Sequence, residues 1–269
     1  MAKSKKSPFK KAENSVKILG VRVDSTSTSS VLKKICRRMT KGKKTVIFTP
    51  NPEFLVSAGQ NLGFKKLLNS ADICLPDGIG LVWAAKILGK PLKTRVAGVD
   101  VAERLLELAN KKGWRVGIAR ARRGVVKERR QQIKILQQKY PQAKIAALED
   151  TPGWQKENWQ IIFACQGMRK QEEWIKKNFS KTNTLVFMGV GGALDFLSGF
   201  APRAPVFIRK MGLEWLFRLL VQPWRWRRQR VLLKFVWLVI LERLKIVFHF
   251  GNSLSSGKIE GFDNCSKKR

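Results

Sequence analysis

Asp77 stands in CLPDGIG (74–80), between a proline and a glycine at the end of an apolar run. A scarce acid on so constrained a backbone stands out in a chain with 54 Lys and Arg and 19 Asp and Glu. The helix start that follows, GIGLVWAAKILG, offers free N–H groups and a dipole that favour a negative group or a phosphate. The same triplet is also an ordinary turn, with Asp accepting local backbone bonds and Gly supplying positive φ. Three more polar or glycine-rich turns follow apolar runs: TPNPE (49–53), GMRKQE (167–172) and GVGG (189–192). Gly191 and Gly192 could receive phosphate or sugar, or could simply make a tight turn, because a short glycine cluster lacks the full dinucleotide fingerprint. Asp195, four residues past Gly191, could contact a ligand or only favour its helix dipole. Gln171 and Glu172 read, from their own residues, as a solvated helix start. PWRWRRQR (223–230) interleaves arginine with tryptophan, which suits a nucleotide diphosphate, lipid headgroups or nucleic acid.

Those turns need rigid supports, and the chain supplies them as short β-branched runs alternating with amphipathic stretches. KILGVRV (17–23), TVIFT (45–49), ICL (73–75), WRVGIA (114–119), AKIAAL (143–148), IIFAC (161–165) and TLVFMGV (184–190) are strand candidates. SVLKKICRRM, GVDVAERLLELANKK and VVKERRQQIKILQQKY repeat apolar residues at helical spacing between them. The alternation predicts an α/β fold, a Rossmann-like, mostly parallel sheet flanked by helices, with ligand chemistry at the carboxyl ends of the strands. Four domains or segments are expected: a basic flexible tail over 1–15, the catalytic domain over 16–205, a Trp/Arg-rich helical appendage over 206–250, and a disordered polar tail over 251–269. VLLKFVWLVILERLKIVFHF (231–250) is broken by Lys234, Glu242, Arg243 and Lys245, so it suits a helix lying in a bilayer interface better than one crossing it. Its removal together with the tail is expected to leave a soluble body.

The 269 residues carry 54 Lys and Arg against 19 Asp and Glu, a formal charge of +35. With 44% apolar residues the chain can still fold around a core, so this charge must cover a folded surface and attract polyanions. Charge alone leaves nucleic acid, anionic lipid and nucleotide phosphate open, and a basic nucleic-acid-binding protein is the alternative reading. Against it, no recognised reader fold appears. Cys36, Cys74, Cys165 and Cys265 show no metal spacing and His249 is the single histidine, which predicts free thiols, a reducing compartment and no zinc. The N-terminus has no signal-peptide core, and no apolar run reaches the roughly 20 residues of a spanning helix.

TPNPEF (49–54), LPDGIGLVWAAKILG (75–89), RVAGVD (95–100), GMRKQEEWI (167–175), MGVGGALDFLSGFAPRAP (188–205) and GLEWLFRLLVQPWRWRRQ (212–229) together resemble the WecG/TagA/CpsF family of bacterial glycosyltransferases, in the family's order. The resemblance implies a metal-independent, inverting transfer of an N-acetylmannosamine-type sugar from a UDP donor to a polyprenyl-diphosphate-linked acceptor at the inner membrane face, with no cofactor. Carried over by motif, Asp77 is the general base and Thr49 and Asn51 lie beside the sugar. Arg95, Gln171 and Asp195 match polar positions of the pocket, and Arg218, Arg225 and Arg228 would reach toward diphosphate. The absence of a DxD pair fits such arginine chemistry. An anionic membrane surface and further copies of the chain are the other expected partners, with no specific nucleic acid. Two departures stand out. Arg169 replaces the usual proline before Lys-Gln-Glu, a change expected to affect loop rigidity alone, and ARARRG (119–124) adds Arg120, Arg122 and Arg123 near the crevice mouth, where they put the donor's identity in question.

Overall fold

A computed structural model describes residues 14–119, 126–223 and 226–255, without the side chains of 126–129, 227–229 and 248–255. Arg120, Arg122, Arg123, Arg225 and Cys265, and most of both expected tails, therefore lie outside the described residues, as does the side chain of Arg228. In chain order the elements are β1 (Ser15–Ile18), β2 (Val21–Asp24), α1 (Thr28–Thr40), β3 (Thr45–Phe48), α2 (Pro52–Gln60), α3 (Leu62–Asn69), β4 (Ile73–Cys74), α4 (Ile79–Ile87), α5 (Gly98–Lys112), β5 (Arg115–Ala119), α6 (Val126–Lys139), β6 (Lys144–Ala147), β7 (Ile161–Ala164), α7 (Lys170–Asn178), β8 (Val186–Gly189), α8 (Ala193–Leu197), α9 (Val206–Lys210), α10 (Glu214–Val221) and α11 (Trp226–Ser255).

Six strands form one parallel sheet in the order β4-β3-β8-β7-β5-β6. β3, β7 and β8 are buried along their whole length, as both faces of a helix-covered sheet require. Alternate residues feed opposite cores. Ile47, Phe163 and Met188 pack with α1, α5, α6 and α8, whereas Phe48, Ile162 and Phe187 pack with α2, α3, α4 and α7. This is the Rossmann-like arrangement expected from the alternation of strands and helices.

KILGVRV is not a strand of that sheet. It is a separate antiparallel hairpin, β1 with β2, because Leu19 (φ 51°) and Gly20 (φ 76°) turn the chain within the apolar run. The C-terminal helix departs from expectation too. α11 continues to Ser255, past the boundary placed at 250, and lies on α2 and α4. Its Phe235 and Val239 are 3% and 1% exposed within the second core, and Glu242 accepts the Leu19 N–H at 2.8 Å. Removing 231–269 would expose the part of that core which Phe235 and Val239 cover, a cost that the expectation of a soluble body after the deletion did not include. The opposite side of α11 exposes Leu233, Val236, Trp237, Ile240, Leu244 and Val247. Among the described residues no helix is long and apolar enough to cross a membrane.

Candidate active site

The four turns singled out in the sequence end β4, β3, β8 and β7, which are four consecutive neighbours in the sheet. Their residues therefore converge at one edge of the fold. Beyond β3 and β4 the ladder continues for one bond, Leu75 N–H to Phe48 O at 2.9 Å, and then Asp77 N–H donates to Pro50 O at 3.1 Å. The TPNPE turn and the Pro-Asp-Gly turn thus brace each other, and Gly78 caps α4 at φ 109°. The reading as a turn holds, and the same turn sets Asp77 at the carboxyl ends of the strands.

The Asp77 carboxyl accepts the backbone N–H of Gly98 at the start of the 15-residue helix α5. Only a glycine fits there: a Cβ on Gly98 would lie 2.7 Å from Thr49 Cγ2 and 3.5 Å from Asp77 Oδ2. Asp77 keeps partial access to the crevice, but the atoms packed around it are dense. Burial pushes its carboxyl up to about 6, against the pull of Arg95 and Arg218 and with a push from Glu214.

Those three residues form one network. Arg95 Nη2 donates to Glu214 Oε2, and Arg218 Nη2 donates to Glu214 Oε1 at 2.9 Å. Glu214 is buried, which alone would raise its pKa, yet Arg218 and Arg95 hold it below the usual carboxylate range. The Arg218 guanidinium also stands 4.3 Å from the centre of the Phe196 ring on α8. α10 therefore bridges from the Asp77 side of the crevice to the β8 side.

On that side Thr49, 7% exposed, donates through Oγ1 to Gly189 O at 3.2 Å. Gln171 and Glu172 are 1% and 0% exposed, which overturns their reading as a solvated helix start. Gln171 Oε1 accepts the Gly191 N–H at 2.9 Å while its Nε2 donates to Glu172 Oε1 at 2.6 Å. Gln171 is thus a brace for the GVGG turn. Burial pushes the Glu172 carboxyl up to about 7, against the pull of Gln171 and of the backbone N–H groups of Glu172 and Arg169. Asn51 caps α2 by accepting from Phe54 N–H at 3.2 Å, and Asp195 accepts from Gln132 Nε2 on α6 at 2.7 Å. Gly192, the N-cap of α8, is exposed beside Asp195. Arg169 enters α7 at φ 68°, a backbone conformation closed to the ring-locked φ of proline, so this departure changes the path of the loop and not only its rigidity.

Glu214, Gly98 and Gln132 were not singled out from sequence. Glu214 carried the same signal as Asp77, a scarce acid in a basic and apolar stretch, whereas Gln132 gave none. A broad groove of about 490 Å³, lined in part by Asn61, Phe64, Arg169 and Lys177, borders α3 and α7. Apart from Arg169, it holds none of the residues of the four turns.

A half-buried carboxylate made more basic by the packing around it, beside two guanidiniums, can take a proton from a hydroxyl while positive charge steadies a departing oxyanion. Relatives of the chain fit this chemistry. It is 36% identical to an N-acetylglucosaminyldiphosphoundecaprenol N-acetyl-beta-D-mannosaminyltransferase of Bacillus spizizenii over 81% of this chain and 87% of the relative. Proteins with the same name are 33% identical in Bacillus subtilis, over 73% and 79% of the two chains, and 31% identical in Staphylococcus aureus, over 79% and 86%. Because the profile of the glycosyl transferase WecG/TagA/CpsF family matches residues 16–247, nearly the whole described chain, the protein belongs to that family of glycosyltransferases.

Proposed function

We propose that the enzyme transfers an N-acetylmannosamine-type sugar, with inversion and without a metal ion, from a UDP donor to a polyprenyl-diphosphate-linked sugar in the synthesis of a cell-surface polysaccharide or teichoic-acid-type polymer. The names of the Bacillus and Staphylococcus relatives support the transferred sugar and the lipid acceptor. Asp77 carries the reading: its carboxyl is held at about 6, ionised at neutral pH yet more basic than an ordinary aspartate. In the proposed step the acceptor oxygen attacks the anomeric carbon and its proton passes to Asp77. The bond from that carbon to the UDP oxygen breaks, and the electron pair leaves with UDP. Arg95 and Arg218, with Arg225 and Arg228, steady the leaving diphosphate. Thr49 and Asn51 flank the sugar, and Gly191, Gly192 and Asp195, braced by Gln171, receive the nucleotide side.

In this reading residues 16–205 catalyse, 206–250 close over the crevice and meet an anionic membrane at its inner face, and 1–15 and 251–269 are tails. Self-association of the chain is a further expectation. The test mixes purified enzyme, UDP-N-acetylmannosamine, a polyprenyl-diphosphate-N-acetylglucosamine and a chelator, and follows UDP release. Turnover should persist without metal and fall by about 10²-fold or more in Asp77→Asn. Parent-like turnover by that variant would remove Asp77 from the role of base.

A further inference from the structure

Two guanidinium pairs are each joined by a carboxylate, and the charges of the first pair, Arg95 and Arg218, act on Asp77. The inner pair, Arg95 and Arg218, shares Glu214. The outer pair shares Asp100: Arg203 Nη2 donates to Asp100 Oδ1, and Arg209 Nη1 stands 3.8 Å from the same oxygen. Arg203 also lies 3.8 Å from Glu103. Asp100 follows Gly98 by two residues in the first turn of α5, only about 3 Å further along the helix axis than the N–H that Asp77 accepts. Arg95 Nη1 joins the pairs by donating to Arg209 O at 3.4 Å. Each of the four arginines keeps a buried Nε–H with no acceptor among the described residues. Those Nε–H groups are sealed, but the side chains of Arg95, Arg203, Arg209 and Arg218 are 17%, 18%, 27% and 33% exposed, so their guanidinium tips can meet a ligand rich in anionic oxygens. Beyond the outer pair the surface turns apolar, with Val206, Phe207 and Met211 exposed by 56%, 63% and 64%.

We infer that Arg203 and Arg209 form the subsite for the diphosphate of the lipid acceptor, and that Val206, Phe207 and Met211 receive the first part of its polyprenyl chain. The inference rests on the proposed transfer reaction, which must bring two diphosphates to one base. The donor's diphosphate leaves from the reacting carbon, so it belongs to the pair nearest Asp77. The acceptor's diphosphate is separated from its attacking hydroxyl by one sugar ring, so it belongs one step further out. The sequence hydroxyl, ring, diphosphate, hydrocarbon then matches the order Asp77, crevice, Arg203 with Arg209, exposed α9. Asp100 holds Arg203 by a hydrogen bond but touches Arg209 only loosely, which leaves Arg209 free to turn to the ligand.

Steady-state kinetics on the full chain test this. Arg209→Gln should raise the acceptor KM at least about tenfold, the loss of one charge-assisted contact, and leave the donor KM within about twofold. Arg209→Lys should fall between the two. Phe207→Ser should raise the KM for a long-chain acceptor and spare a water-soluble acceptor with a two-isoprene chain. A rise in donor KM without a rise in acceptor KM, or equal effects of Phe207→Ser on both acceptors, overturns the assignment. Binding of sugar-free polyprenyl diphosphate in detergent micelles separates this inference from the parent reading. It should weaken at least about tenfold in Arg209→Gln, with inorganic pyrophosphate a much weaker ligand. If no donor and acceptor pair turns over, the transfer reaction is wrong. Equal binding of the lipid by parent and variant, or pyrophosphate binding as tightly as the lipid, sinks the subsite.

Discussion

Two carboxyls, half-buried Asp77 at about 6 and buried Glu172 at about 7, are both raised by the desolvation that packing imposes, and they answer to pH in the same direction. A carboxyl whose folded pKa exceeds its unfolded value binds protons more tightly when folded. Stability therefore falls as pH rises from the unfolded pKa to the folded one, and stays lower above it. For Asp77 the window runs from 3.8 to about 6, and for Glu172 from 4.5 to about 7. Asp77→Asn should thus lose turnover while melting at a higher temperature than the parent at pH 7.5. Parent kcat/KM should fall on the acid side of about pH 6, where the base holds its proton. Glu172→Gln, which keeps an oxygen for Gln171 to donate to, should melt with the parent at pH 4 and above it at pH 8. The gain is bounded at about 3 kcal/mol, since one pKa unit corresponds to about 1.4 kcal/mol. A Glu172→Gln protein less stable than the parent at pH 8 would mean that the bonds from Gln171 and the backbone at the start of α7 favour the ionised form more than burial disfavours it. The tether to Gly191 through Gln171 was invisible in sequence, because it depends on β7 and β8 being neighbours.

At the scale of elements, α11 separates two roles that composition could not. Phe235 and Val239 belong to the core against α2 and α4, while Leu233 and Trp237 face outward. Phe235→Ala should cost about 3–5 kcal/mol, the range for removing a buried aromatic side chain. Trp237→Ser should leave the melting temperature nearly unchanged and reduce co-sedimentation with vesicles, and equal destabilisation by the two would refute the division. The sheet strands were readable because both faces are buried, so near-continuous apolar runs such as TVIF and IIFA stand out from charged helices. The strand tips were readable for the same reason: polar and glycine residues directly after such runs have few other places to be. The hairpin was missed because KILGVRV has the same composition as a sheet strand, and only the left-handed turn at Leu19 and Gly20 divides it. The inward face of α11 was missed because its apolar residues surround the helix, and which of them find partners depends on α2 and α4.

Across the whole molecule, some of the scarce acids are withdrawn from the surface. Asp24, Glu172 and Glu214 are buried, Asp72 is paired with Arg38, and Asp77 is half-buried. Against 54 Lys and Arg the chain has 19 Asp and Glu in all, so the exterior is strongly cationic. On α11 this charge is mixed with grease: Lys234, Arg243 and Lys245 are exposed beside Leu233, Trp237 and Leu244. Each basic residue near an anionic bilayer contributes roughly 1 kcal/mol, and that attraction decays over a Debye length of about 10 Å at 0.1 M salt and about 3 Å at 1 M. Insertion of the apolar face has no such salt dependence. Binding to vesicles containing anionic lipid should therefore drop steeply as salt rises and then level off at a residue that Trp237→Ser abolishes. Binding to an oligonucleotide should drop with salt and reach zero, because counterion release is its whole driving force, and Trp237→Ser should not change it. If vesicle binding also vanished at high salt in the parent, the exposed side of α11 would contribute nothing to attachment and charge alone would hold the enzyme on the vesicle.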